Sequence, residues 1–221
     1  MRVRVMSALV ALAGFAQGNP WVTDFHVDKA DFASTGHNDY FSLEPGRVLT
    51  LEHGTERLVI TVLTATKVID GVETRLVEER ETNKGQLVEV SRNYFAINKR
   101  TSDVYYFGED VDMYKNGKIT DHEGSWLAGV SGAKFGLAMP AQPKLHYRYH
   151  QEVAPKVAMD RAEIVSLTAT VTGGAGPWKN CLKIEETTPL EPLVKEYKYY
   201  ASGIGLVQDG DLKLVSVAGG R

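Results

Sequence analysis

The chain has one cysteine, Cys181, among 221 residues. A single cysteine forms no internal disulfide, so stability has to come from a buried core. Cys181 lies in the strand-like run "WKNCLKIEE". A free thiol there packs as a small hydrophobe, and nothing beside it supplies the base that a nucleophile requires. No lysine–arginine run occurs and the formal net charge is −3. That balance excludes the basic footprint of a nucleic-acid binder or an anionic-membrane binder. No stretch of the remaining chain is apolar over the roughly 20 residues that a membrane-spanning helix needs. Also missing are G-x-S-x-G, H-E-x-x-H, a P-loop and a dinucleotide fingerprint, so no cofactor is implied. A copper site of the cupredoxin type needs cysteine, histidine and methionine close together near the C-terminus, and nothing of that kind follows Cys181.

The first residues do have a pattern. Arg2 and Arg4 precede the short apolar run "VMSALVALAGFA", followed by "AQG" with Ala16 and Gly18 at the small-residue positions. This n-, h- and c-region order is that of a secretory signal peptide, and it predicts export to the periplasm or medium with cleavage after Gly18. Residues 19–221 then suit one β-rich domain. Losing Arg2 and Arg4 takes the charge from −3 to −5.

Residues 19–45 mix turn formers and aromatics and read as a loosely packed lead-in with room for a short helix. After "EPG" the chain becomes a series of Val-, Ile-, Thr- and Tyr-rich runs, from "RVLTLEHG" through "QLVEVSRNYFAI" to "LKLVSVA". Asp70-Gly71, Lys84-Gly85 and Asn116-Gly117 separate several of them. Such pairs favour tight hairpins, because a type I′ turn needs positive φ at both central residues. "PKVAMDRAE" has room for one helical turn. The pattern predicts an all-β fold with minor α, a curled antiparallel meander forming a barrel, half-barrel or sandwich. The stretch "HEGSWLAGVSGAKFGLAMPAQP", residues 122–143, reads as a long covering loop. It is too apolar for a solvated linker, so it either completes the core or walls a cavity. Trp126 is expected to be buried with its indole N–H on an acceptor.

Carboxylates are plentiful. Neighbours in a strand face opposite ways, so one member of Glu78/Glu79 and one of Glu185/Glu186 is expected to point inward, where a carboxylate must be paired, hydrogen-bonded or metal-bound. Arg80, Arg92, Arg148, Arg161 and Lys198 are available partners. "HYRYHQE" places His146, Arg148, His150 and Glu152 on one strand face. Its two histidines are then about 13 Å apart at about 3.3 Å per residue and cannot share an ion. "EDVDMYKNG" fails as a calcium loop, because Tyr114 stands at an oxygen-ligand position. No metal site is predicted. His122, Glu109 and Glu152 are the candidate acid–base group, expected to converge at one opening of the sheet, unless the two carboxylates pair with Arg92 or Arg148. Tyr106, Trp126, Phe135 and Tyr149 are the candidate ligand-binding residues, with Tyr105, Phe107 and Tyr147 in the same apolar wall.

"YKYYASGIGLVQDG", "LKLVSV", "GSWLAGVSGA" with "MPAQP", and "QEVAP" with "DRAE" resemble a group of exported bacterial proteins of no assigned activity. The likeness covers most of residues 19–221. The chain departs from that group at Ala201-Ser202-Gly203, where Ala-Pro-Gly is usual, and at Pro155-Lys156, where Pro-Gly is usual; both lie in turns. The "YYxxGIGLV" ending is similar to the closing hairpin of curved-sheet periplasmic carriers of apolar molecules, which implies fold more than function. Three functions follow as expectations: a binding protein for a small or apolar ligand, a secreted lyase or hydrolase, or an envelope structural protein without a pocket.

Overall fold

The computed structural model describes residues 20–220; the expected signal peptide, residues 1–18, and its cleavage site lie outside the described residues. After a 3-10 turn at Lys29–Asp31, sixteen strands follow among the described residues. The first eight are β1 (Phe32–Ala33), β2 (Val48–His53), β3 (Glu56–Ile69), β4 (Val72–Asn83), β5 (Gln86–Asn98), β6 (Val104–Lys115), β7 (Lys118–Asp121) and β8 (Trp126–Leu127). The rest are β9 (Lys134–Met139), β10 (Arg148–His150), β11 (Glu152–Val153), β12 (Arg161–Val171), β13 (Trp178–Thr188), β14 (Glu191–Ala201), β15 (Gly205–Asp209) and β16 (Leu212–Ala218).

The fold is nearly all-β, an antiparallel sheet of 13 strands curled almost into a closed barrel. Its order is β10-β12-β13-β14-β15-β16-β2-β3-β4-β5-β6-β9-β11. The tight turns arise as their residues require: Asp70 and Gly71 have φ of 49° and 80°, Lys84 and Gly85 50° and 74°, Asn116 and Gly117 54° and 74°. Short hairpins with this hand of twist add strand beside strand until the sheet bends round on itself.

Closure depends on one segment. β10 pairs with β12 at one edge of the sheet and β11 pairs with β9 at the other, and only Gln151 separates β10 from β11. Residues 148–153 therefore join both edges. The crossing is tight: a Cβ on Gly136 of β9 would lie 2.4 Å from the Gln151 carbonyl oxygen and 2.5 Å from that of His150.

The lead-in is firmly packed. Phe32 of β1 stands edge-on to Tyr105, Phe107 and Phe135, all on the face of β6 and β9 turned away from the barrel interior. Residues 38–47 then cross one end of the barrel. There Asn38 donates to the Ser102 carbonyl at 2.8 Å, the Gly203 N–H donates to the Asp39 carbonyl at 2.8 Å, and Leu43 is fully buried. The buried Arg75 ties the lead-in to the wall. Its guanidinium donates to the Ser34 carbonyl and to the Leu63 and Thr64 carbonyls, which the irregular pairing between Val62 and Thr66 leaves off the ladder.

Two local expectations resolve differently. Residues 122–143 do pack on the sheet, with Trp126 buried, but they do so as part of the wall: β8 pairs with β6 at Gly108 and Glu109, and β9 pairs with β6 at residues 104–106. Residues 155–158 make a turn closed by an Ala154–Ala158 bridge in place of a helical turn.

Gly136→Ala is expected to lower stability by about 1–3 kcal/mol through forced displacement of the crossing segment. Urea denaturation followed by far-UV circular dichroism measures it. An unchanged midpoint and slope would contradict the closure described for residues 148–153.

Candidate functional site

The curled sheet surrounds a cavity of about 270 Å³. Its lining changes from one end to the other. At the end crossed by the lead-in stand Phe41, Leu49, Val62, Val77, Phe95 and Leu206. Phe41 meets Phe95 at 4.8 Å and Phe95 stacks on Tyr106 at 4.8 Å. Toward the other end the inward positions become acidic. β4 reads Val77, Glu79, Glu81; β5, running the other way, reads Phe95, Asn93, Ser91, Glu89. The register lays Glu79 opposite Ser91, Glu81 opposite Glu89, and Asn93 opposite Glu109. Among the described residues eight carboxylates line the cavity: Glu79, Glu81, Glu89, Glu109, Glu152, Asp160, Glu186 and Asp209.

Glu109 owes its inward aim to a bulge. Phe95 pairs with Tyr106 and Tyr94 with Gly108, so Phe107 is an extra residue on β6. Tyr106 and Glu109 both face the cavity, although they are three apart and strict alternation would put them on opposite faces. Gly108 permits this. Its φ is 154°, and a Cβ there would lie 2.7 Å from both Leu127 Cδ2 and the Trp126 carbonyl oxygen, so a side chain would push β8 away from β6.

The same bulge sorts the charges. Asp110 and Asp112 turn outward and find cations: Lys67 is 2.9 Å from Asp110 and Arg92 is 2.8 Å from Asp112. Glu78 lies near Arg80 and Arg92, and Glu185 near Lys195. Their neighbours Glu79 and Glu186 line the cavity, as alternation requires. Inside, Lys198 is 2.9 Å from Glu186 and 3.9 Å from Asp209, and Gln151 Nε2 donates to Glu186 at 2.9 Å. Glu152 accepts the Asp160 N–H. Glu79, Glu81, Glu89 and Glu109 have no ion-pair partner among the described residues.

Burial therefore dominates their protonation. It pushes the Glu79 carboxyl up to about 8, against a partial opposing pull from Lys198. It pushes Glu109 up to about 7, with the Tyr106 hydroxyl opposing. Glu152 is driven well above the usual carboxylate range by burial and by the charge of Asp160. Burial acts against the Lys198 ammonium too, but Asp209 and Glu186 outweigh it and hold the amine charged.

The sequence-derived candidates separate into two sets. Glu109 and Glu152 line the cavity, as do Tyr106 and Trp126. His122 does not. Its ring is exposed, with Nδ1 2.7 Å from the Val111 carbonyl oxygen and 3.0 Å from Asp112 Oδ1, so the expected three-residue convergence fails. The cause is the reach of β6 beyond Glu109: Asp112, outward by parity, captures the imidazole. Glu109 and Glu152 do not pair with Arg92 or Arg148 either, since those guanidiniums serve Asp112 and Glu163. Phe135 faces away from the cavity, stacked on Phe107 at 4.7 Å, because β9 turns Gly136 and Ala138 inward. Tyr149 is fully buried in the wall, pinned opposite Ala162 and bridged to Val22. Trp126 meets Tyr106 at 5.2 Å, but its indole N–H has no acceptor among the described residues, contrary to expectation. Glu79 was visible in the sequence as one member of an inward-or-outward pair and Lys198 as an available partner, whereas Glu81 and Glu89 had no such signal, because only register decides which way they face. Among the described residues no three His, Cys, Asp or Glu side chains are grouped to hold a metal ion.

The raised carboxyls make stability fall as pH rises. The folded chain keeps the Glu79 and Glu109 protons to about pH 8 and about pH 7, whereas the unfolded chain releases them near the ordinary 4.5. Between those values the folded state binds more protons, so its stability decreases with pH. Melting should occur at lower temperature at pH 8.5 than at pH 5.5, and Glu79→Gln should flatten the slope. At this chain length each kcal/mol moves Tm by about 2–4 °C. Differential scanning calorimetry across that range checks it; a Tm that rises with pH would contradict the assignment.

No protein-family model matches the chain, and neither the curated proteins nor the solved structures contain a significant match.

Proposed function

We propose that the chain is an exported binding protein that holds a small or apolar ligand inside the curled sheet. The observation that carries this reading is the cavity itself. Its walls are rigid strands, one end is apolar and aromatic, and polar groups stand at defined positions around it, which is the usual make-up of a ligand pocket. A core built only for stability would fill this space, because interiors pack densely, and would not surround it with carboxylates. The lyase or hydrolase reading relied on His122 acting with Glu109 and Glu152. With His122 held on the outer face by Asp112, that reading keeps two carboxyls and loses its imidazole. The reading without a pocket is disfavoured by the cavity of about 270 Å³.

A ligand-observed NMR screen tests the proposal, using uncharged, cationic and anionic compounds of about ten heavy atoms. An engineered cavity of roughly 150 Å³ takes one benzene, so this size suits the space. Saturable binding is expected from part of the panel. It should be lost in Ala138→Leu, which projects a larger side chain into the cavity from a buried wall position. Binding that persists in a folded Ala138→Leu protein, or no binder in the panel, would overturn the proposal.

A further inference from the structure

We propose that the ligand is an organic amine: an apolar body seated at the Phe41–Phe95 end and one positive charge set among Glu79, Glu81, Glu89 and Glu109. This rests on the binding reading above and specifies the chemistry of the same cavity.

Charge selects the ligand class. Among the described residues only two cationic side chains line the cavity, Arg47 and Lys198. Lys198 is taken by Glu186 and Asp209. The Arg47 guanidinium is turned to the Ile204 and Gly203 carbonyls. That leaves the Arg47 Nε–H as the one unmet cationic donor in the lining among the described residues, against eight carboxylates. An uncharged ligand would bring no countercharge to Glu79, Glu81, Glu89 and Glu109 where they ionise, and a buried carboxylate without one is unfavourable. An ammonium supplies that countercharge. A bare metal ion suits the site less well, because among the described residues no three carboxylates are grouped to coordinate it, and it would leave the apolar end empty.

A second observation points to an occupant independently of the acids. Trp126 lines the cavity and is only 6% exposed, yet its indole N–H is buried without an acceptor. Buried donors are nearly always satisfied; an ammonium only donates, so the acceptor an amine could bring to this wall is the π face of its aromatic body. Size agrees, since about 270 Å³ holds a body of roughly ten heavy atoms on the scale of one benzene in about 150 Å³.

Isothermal titration calorimetry at pH 8 with three compounds of nearly equal shape tests the inference: 2-phenylethylamine, 2-phenylethanol and phenylacetate. The amine should bind at least about tenfold tighter than the alcohol, a difference of about 1.4 kcal/mol, and phenylacetate should not bind. In the double variant Glu79→Gln/Glu109→Gln the amine should lose its tenfold preference and bind no tighter than the alcohol. Its melting temperature, expected to be no lower than that of the parent, verifies folding. If alcohol and amine bind alike, or the double variant keeps the preference, the amine inference falls and the cavity-binding reading stands. If none of the three binds, the amine inference falls, and the screen with Ala138→Leu decides the broader reading by itself.

Discussion

The two edges of the sheet are held together by one short length of chain, residues 148–153, which pairs with β12 on one side and β9 on the other. An open sheet would leave unpaired N–H and carbonyl groups along both edges and would enclose nothing. The crossing over Gly136, where no side chain fits, turns a meander into a container. Placement of the inner carboxylates, their partial burial and the raised carboxyl protonation all follow from that closure. The lead-in completes it by crossing one end of the barrel, so that the cavity has an apolar floor around Phe41 and Phe95.

The second constraint is parity. A barrel strand offers alternate residues to the inside, and this chain uses the rule to keep two kinds of acid apart. Outward acids such as Asp110 and Asp112 sit against Lys67 and Arg92 and serve the surface. Inward acids face one another, with Lys198 answering only two of them. The bulge at Phe107–Gly108 adds Glu109 to the inward set. A single inserted residue thus moves one carboxylate from solvent into the cavity and moves the next ones outward, where Asp112 binds His122.

Much of the architecture was legible in the sequence. Asp70-Gly71, Lys84-Gly85 and Asn116-Gly117 announce their hairpins because few other residue pairs tolerate positive φ twice in succession, and all three pairs have it. Burial of Trp126 followed from the apolar character of its surroundings. What could not be read was anything that depends on contact between distant segments. Residues 122–143 look like a loop because β8 and β9 are short and glycine-broken, and they become wall only where β6 offers them an edge. The lead-in looks loose because Phe32, Asn38 and Leu43 are scattered among turn residues, yet each is buried against a different part of the barrel. Of the candidate site, Glu109, Glu152, Tyr106 and Trp126 face the cavity while His122, Phe135 and Tyr149 do not. Nearness along the chain placed His122 beside Glu109, and the bulge between Tyr106 and Glu109 sets the parity that sends them to opposite faces.

The central claim is that the barrel holds half-buried carboxyls without a cationic partner. The most direct measurement is a pH titration of the glutamate side-chain carboxyl carbons by ¹³C NMR, with Glu79→Gln and Glu109→Gln proteins to assign the signals. The account predicts midpoints near 8 for Glu79 and near 7 for Glu109, well separated from surface glutamates that titrate around 4–5. If both carbons titrate with the surface glutamates, the carboxyls are fully solvated and the acidic cavity described here does not exist.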